Sequence, residues 1–172
     1  MALAADQTQY NSSLVYCLFW TETVPYTSRN LYYNFTVTPQ VHVDGRKINY
    51  TRIVNHSVLP GDINHNSGVI LAASYDGSTL NGSVTNTAKR ELASLMVRVF
   101  RISQADQLDK PNQVTEIIAE TPLTPPGALA DGAAATFNVT PITLGASERL
   151  VVVVQENGTK EVMHALYIPA LP

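Results

Sequence analysis

The stretch Arg149-Leu-Val-Val-Val-Val-Gln-Glu156, with Asn157-Gly158 directly after it, decides the fold that the sequence predicts. Four consecutive β-branched residues favour a strand, and a strand with no polar face is typical of the middle of a sheet that is covered on both sides. Asn-Gly tolerates the positive φ angles of a two-residue type I′ turn. We therefore expect an antiparallel hairpin in which residues 150–155 pair with residues 160–165.

Strand patterns recur along the rest of the chain, where β-branched and aromatic residues alternate with polar ones. They cover residues 14–20, 31–38, 41–43, 46–54, 68–75, 96–102, 114–120 and 135–143. The Asp44-Gly45 turn places Val41 opposite Ile48. Residues 87–95 have apolar residues at helical spacing behind Asn86, and they fit either one short helix or the lead-in to the next strand.

The length of 172 residues fits one domain. Residues 121–134 are rich in Pro, Gly and Ala, but too few residues follow them for a second domain, so we interpret them as a long crossover loop between two sheets. Residues 1–13 are expected to form an extended N-terminal arm, with residues 14–172 as a single β domain. The fold class predicted is all-β, a single-domain antiparallel β-sandwich or jelly-roll-like barrel with at most one or two short helices.

Composition excludes several classes of protein. The net charge is −3 and the basic residues are scattered, so nucleic acid is not an expected partner. A single cysteine, Cys17, rules out an intrachain disulfide. The longest apolar runs are far shorter than the roughly 20 residues of a membrane-spanning helix. The N-terminus has no basic region typical of a signal peptide, so we expect synthesis in the cytoplasm without export by that route.

No pattern in the sequence predicts catalysis. Residues 62–66 (Asp-Ile-Asn-His-Asn) resemble the start of a calcium loop, but the twelfth position is Ala73 and no second carboxylate closes the loop. The four histidines, His42, His56, His65 and His164, are not spaced as metal ligands. No nucleophile motif surrounds a serine or Cys17. We therefore expect a protein that is not an enzyme, with no catalytic residues, no metal and no organic cofactor.

Seven of the twelve Asn residues lie in Asn-x-Ser/Thr triplets, the acceptor pattern for N-linked glycans in exported proteins. They are Asn11, Asn34, Asn49, Asn55, Asn81, Asn138 and Asn157. Because no secretion signal is evident, a surface rich in Asn and Thr is the interpretation that we favour here.

Aromatic residues crowd the N-terminal part of the chain. Tyr10, Tyr16, Trp20, Tyr26 and Tyr32 are the candidate interface residues. Tyr and Trp on a β surface either bury themselves in subunit contacts, where such side chains are enriched, or stack on sugar rings. We favour the subunit interface.

The low share of charged residues, 15% against a usual share of about 25%, suits a protein that is packed against neighbours. The function predicted is therefore that of a structural protein of a virus particle, such as a bacteriophage capsid decoration (cement) protein. Its expected partners are further copies of itself, as a homo-oligomer, and a major capsid or other virion protein, with no membrane partner. Its expected location is the virion. The alternative is a cell-surface or fibre adhesion module that binds carbohydrate through an aromatic patch.

Overall fold

The structure is a computed structural model, and it describes residues 41–43, 46–48, 68–103, 112–123 and 128–169. These residues form nine strands. They are β1 (Val41–Val43), β2 (Arg46–Ile48), β3 (Val69–Tyr75), β4 (Leu80–Asn86), β5 (Leu95–Ser103), β6 (Gln113–Pro122), β7 (Ala134–Val139), β8 (Glu148–Glu156) and β9 (Val162–Pro169). None of the described residues forms a helix, which confirms the predicted all-β fold class.

The strands form a two-stranded sheet and two larger antiparallel sheets. The two-stranded sheet is β1-β2, the three-stranded sheet has the order β3-β4-β7, and the four-stranded sheet has the order β6-β5-β8-β9. The chain passes from the four-stranded to the three-stranded sheet between β6 and β7. The pair of larger sheets is consistent with a single-domain β-sandwich.

One hydrophobic core lies between the two larger sheets. Alternate residues of each strand point into it, because successive side chains of a strand face opposite sides of its sheet. The three-stranded sheet contributes residues such as Leu80 and Val84, and the four-stranded sheet contributes Val97, Val152 and Val154. These side chains are at most 1% exposed. We call this the inter-sheet core.

A second apolar cluster lies on the other face of the four-stranded sheet. It consists of Phe100, Ile102, Val114, Val151 and Val153, all of which are buried. We call it the outer cluster. Because Val151 and Val153 alternate with Val152 and Val154, β8 is covered on both faces, as the four-valine run predicted.

The predicted β8–β9 hairpin is present, but the register that the sequence predicted for it is wrong. β8 and β9 are neighbours and antiparallel, yet Leu150 pairs with Ile168 and Gln155 pairs with Val162. The connection is longer than a two-residue turn, since β8 ends at Glu156 and β9 begins at Val162. Within it, the Glu156 carboxylate accepts hydrogen bonds from the backbone N–H groups of Gly158 and Thr159. Lys160 rather than Gly158 adopts a positive φ, of 66°.

Other local predictions have mixed outcomes. Val41 pairs with Ile48 across the Asp44-Gly45 turn, as expected. Residues 87–94 are not helical but lead into β5, and Leu92 there forms a bridge with Leu129. The sequence interpretation omitted β4 altogether. None of the described residues forms an apolar helix of the length that a membrane crossing requires.

Removing two methyl groups from the inter-sheet core should destabilise the sandwich measurably. We expect Val152→Ala to lower the free energy of unfolding by about 2–3 kcal/mol, because Val152 is fully buried and its neighbours cannot close the cavity. Thr121→Ala, an exposed position on β6, is the control and should change it by less than about 0.5 kcal/mol. Urea denaturation measures both. Equal effects for the two variants would contradict the core assignment.

Candidate functional site

The outward side of the three-stranded sheet is the exposed surface that distinguishes this molecule. It is built from alternate residues of three neighbouring strands, and none of them is charged. They are Ile70, Ala72, Ser74, Asn81, Ser83, Thr85, Ala134, Thr136 and Asn138. We call this surface the neutral face. Free protein surfaces are typically 25–35% charged residues, so nine adjacent uncharged positions are unusual.

The strand register sets the layout of the neutral face. Ile70 lies beside Thr85 and then Ala134 in one row across the sheet, and Asn81 lies between Ser74 and Asn138 in another. On the inward side, Gly82 leaves room for the Phe137 ring, which a Cβ at position 82 would strike. The Phe137 ring thus lies over Gly82 on the inward side of the sheet and does not contribute to the neutral face.

The neutral face offers hydrogen-bonding groups but no acid or base. Asn138 Nδ2 donates to Asn81 Oδ1 at 2.7 Å, so two exposed amides lie against each other. Ile70 is its largest apolar side chain and is 55% exposed. From the usual strand spacings the nine positions cover roughly 300 Å² of sheet plane, well below the roughly 800 Å² per partner of a stable protein interface. The neutral face alone is therefore too small for stable protein docking.

A buried arginine occupies one end of the opposite outer face, on the four-stranded sheet. Arg98 is 3% exposed and donates from Nε to Gln155 Oε1 at 2.7 Å and from a terminal nitrogen to Asn157 Oδ1 at 3.0 Å. It also forms an ion pair with Glu120 on β6. Gln155 Nε2 donates in turn to the carbonyl of Lys160 at 2.6 Å. The cluster ties the end of the β8–β9 hairpin to β5 and β6.

Other buried polar groups also hold segments of the fold together. Asn86 is fully buried, and its Nδ2 donates to the carbonyls of Arg90 and Leu129 at 2.8 and 2.7 Å. Tyr75 donates its hydroxyl to the Ile142 carbonyl at 2.9 Å. His164 Nδ1 lies 3.0 Å from the carbonyl oxygen of Val69 and links β9 to β3 across the two sheets.

Two carboxylates are used in turns. Asp76 accepts hydrogen bonds from the backbone N–H groups of Ser78 and Thr79, which hold its pKa below the ordinary value. A hydrogen bond with the Thr159 side chain and the N–H groups of Thr159 and Gly158 lower the pKa of Glu156. Both carboxylates therefore favour the ionised form while serving a local structural role.

Within the described residues, no cluster of three or more His, Cys, Asp or Glu side chains is placed to bind a metal ion. The candidate interface residues Tyr10, Tyr16, Trp20, Tyr26 and Tyr32 lie outside the described residues and stay a prediction. The neutral face was not foreseen, because it depends on the insertion of β7 beside β4.

No protein-family model matches this sequence, and no curated protein matches it. Solved structures are similar in fold. HBP35 of Porphyromonas gingivalis has a TM-score of 0.56 at 10% sequence identity, over 86% of this chain and 59% of that one. Protein AGR_C_4864 from Agrobacterium tumefaciens has a TM-score of 0.54 at 15% identity, over 87% of this chain and 72% of that one. At these identities the similarity concerns the fold alone.

A third similar structure is the complex of the archaellum periplasmic stator proteins FlaF and FlaG from Sulfolobus acidocaldarius. Its TM-score is 0.36 at 8% identity, over 59% of this chain and 88% of that one.

The prediction of a virus-particle protein is wrong. The two similar structures with TM-scores above 0.5, HBP35 and AGR_C_4864, are bacterial proteins, and neither is described as a capsid protein. The capsid decoration role, the major capsid partner and the virion location depend on that prediction and are wrong with it.

The Glu156 turn should make the hairpin sensitive to acid. The pKa of Glu156 is below its ordinary value of 4.5 in the folded state, so its stabilisation is present above that pH and is lost as the pH falls through the folded-state pKa. We expect Glu156→Gln to unfold at lower urea concentration than the wild type at about pH 7, and the gap to narrow by about pH 3. Glu91→Gln, at an exposed position, is the control. A gap that does not change with pH would contradict the assignment.

Proposed function

We propose that this chain is a non-enzymatic adhesion module of a cell-surface or periplasmic structure, and that its ligand is carbohydrate. One observation carries the proposal. In the described part of the chain the buried side chains of Arg98, Gln155 and Asn86 hold the sandwich together, and the neutral face has no acid or base that could activate its hydroxyl groups. Such a molecule is equipped to bind and not to catalyse.

The proposed ligand follows from the aromatic residues. Sugar rings are neutral and present apolar faces on which Tyr and Trp stack while neighbouring Asn and Thr form hydrogen bonds. Tyr75 and Phe100 are buried in the cores, Phe137 packs against the inter-sheet core, and the partly buried Tyr167 packs against the outer cluster with its ring beneath an arginine. The stacking residues of the proposal are therefore those of the N-terminal part, above all Tyr16 and Trp20.

The proposed location is outside the cytoplasm. Among the similar structures, Omp28 is described as an outer membrane lipoprotein and FlaG as a periplasmic stator protein. For this chain, the location is tested by separating surface and cytoplasmic fractions of the cells that make it and detecting the protein in each.

Binding to carbohydrate can be measured with the full chain on a panel of neutral and acidic polysaccharides by affinity electrophoresis. We expect Trp20→Ala to weaken binding about tenfold, because an aromatic stacking platform contributes roughly 1–1.5 kcal/mol. Ser74→Ala, on the neutral face, is the matched control and should bind as the wild type does. If no polysaccharide retards the chain, the adhesion role is wrong, and if both variants lose binding equally, Trp20 is not a specific stacking residue.

We also propose that the chain associates with further copies of itself. An N-terminal arm of residues 1–13 can reach roughly 40 Å when extended, and Tyr10 would serve as its anchor on a neighbouring copy. We expect deletion of residues 1–13 to leave the β domain folded and to shift the protein towards the monomer in analytical ultracentrifugation. An unchanged mass would show that the arm is not the contact, and an unfolded product would show that it belongs to the domain's own core.

A further inference from the structure

Asn-x-Ser/Thr triplets are more frequent in this chain than its composition explains. The sequence has 28 Ser and Thr residues among 172, so chance would place a hydroxyl residue two positions after about two of the twelve Asn residues. Seven have one, and none of the seven has proline in the middle position. A surface rich in Asn and Thr does not account for this excess.

In the described structure, the asparagines that belong to triplets differ in exposure from those that do not. Five lie in the described residues. Asn81, Asn138 and Asn157 belong to triplets, and all three are exposed. Asn86 and Asn112 do not belong to triplets, and both use their side chains inside the fold, Asn86 as described above and Asn112 by donating to the Tyr167 hydroxyl at 3.1 Å. The triplets thus occur where a bulky attached group meets solvent.

We propose that Asn81, Asn138 and Asn157 are acceptor sites for N-linked glycans. The proposal rests on the proposed location outside the cytoplasm, since the donor is a glycan linked to a lipid phosphate or diphosphate at a membrane. Asn Nδ2 forms a bond to the anomeric carbon of the sugar, the bond between that carbon and the phosphate oxygen breaks, and the lipid phosphate leaves with the proton that Nδ2 loses.

The local geometry tolerates this modification. Asn157 is in the turn between β8 and β9, and its Oδ1, which accepts from Arg98, keeps that role when a sugar is attached to Nδ2. Asn138 donates from Nδ2 to Asn81 Oδ1, and a glycosylated amide retains one N–H that can continue to donate. The acceptor chemistry therefore leaves the Arg98 cluster and the contact between the two amides in place.

Asn81 and Asn138 should compete for glycosylation. They are directly opposite each other on β4 and β7, where Cβ atoms are about 5 Å apart. Two branched glycans attached so close together would collide, so we expect one glycan on this pair in most molecules. Together with Asn157 this places carbohydrate on the neutral face and at the end of the four-stranded sheet.

The test is peptide mapping by mass spectrometry of the full chain from the surface fraction of the cells that make it, with and without an amidase that removes N-linked glycans. We expect glycans on peptides with Asn157 and with either Asn81 or Asn138, and none on Asn86 or Asn112. Ser83→Ala should abolish modification at Asn81 while Ser83→Thr retains it, because only the hydroxyl residue of the triplet differs. In Ser83→Ala, occupancy at Asn138 should rise, since the competing site is lost.

Three results would overturn the inference. Unmodified protein in the surface fraction would refute the glycans and leave the proposed function standing. Protein confined to the cytoplasm and unmodified would refute both. Modification that is equal in Ser83→Ala and in the wild type at Asn81 would show that the attached mass is not an N-linked glycan.

Discussion

The alternation of Val151–Val154 between two apolar clusters is the constraint around which the described structure is arranged. A strand that is apolar on both faces must be shielded from water on both, since each buried valine contributes roughly 1.5 kcal/mol or more by leaving water. The three-stranded sheet covers one face of β8 through the inter-sheet core, and the outer cluster is buried on the other. Among the described residues, the outer face of the three-stranded sheet is polar, whereas that of the four-stranded sheet carries the outer cluster.

The burial of Arg98 follows from the same constraint. Its position on β5 points to the outer face of the four-stranded sheet, opposite Val153, where there is little water to solvate a charge. An unpaired charge there would destabilise the fold by several kcal/mol. Glu120, Gln155 and Asn157 supply the partners, and because they belong to three different parts of the sheet, the arginine also fixes where the β8–β9 turn lies relative to β6.

The sequence predicted what depends on neighbouring residues and missed what depends on distant ones. The all-β class, the β1–β2 register and the two-sided burial of β8 follow from local patterns. The β8–β9 register does not, because the connection is longer than two residues and an irregularity between Val154 and Gln155 shifts the pairing once more. β4 was missed because Asn81-Gly82-Ser83 is typical of a turn, and here Gly82 is needed for the Phe137 ring. The neutral face requires knowledge that β7 lies beside β4, which no local pattern contains.

The composition of the neutral face and the low overall charge have a common physical meaning. A chain with only 15% charged residues has few of the groups that ordinarily keep a folded protein hydrated and apart from its neighbours. The neutral face is too small to form a stable protein interface by itself, since its roughly 300 Å² of sheet plane is less than half of the roughly 800 Å² per partner that such an interface buries. Another hydrophilic group must then keep this surface hydrated and apart from neighbouring molecules. A glycan on an exposed asparagine is such a group, since it is bulky and solubilising. On this view a sugar chain attached at Asn81 or Asn138 covers the small uncharged side chains around it. The low charge and the excess of acceptor triplets then have the same cause, which is that glycans rather than charges hydrate this surface.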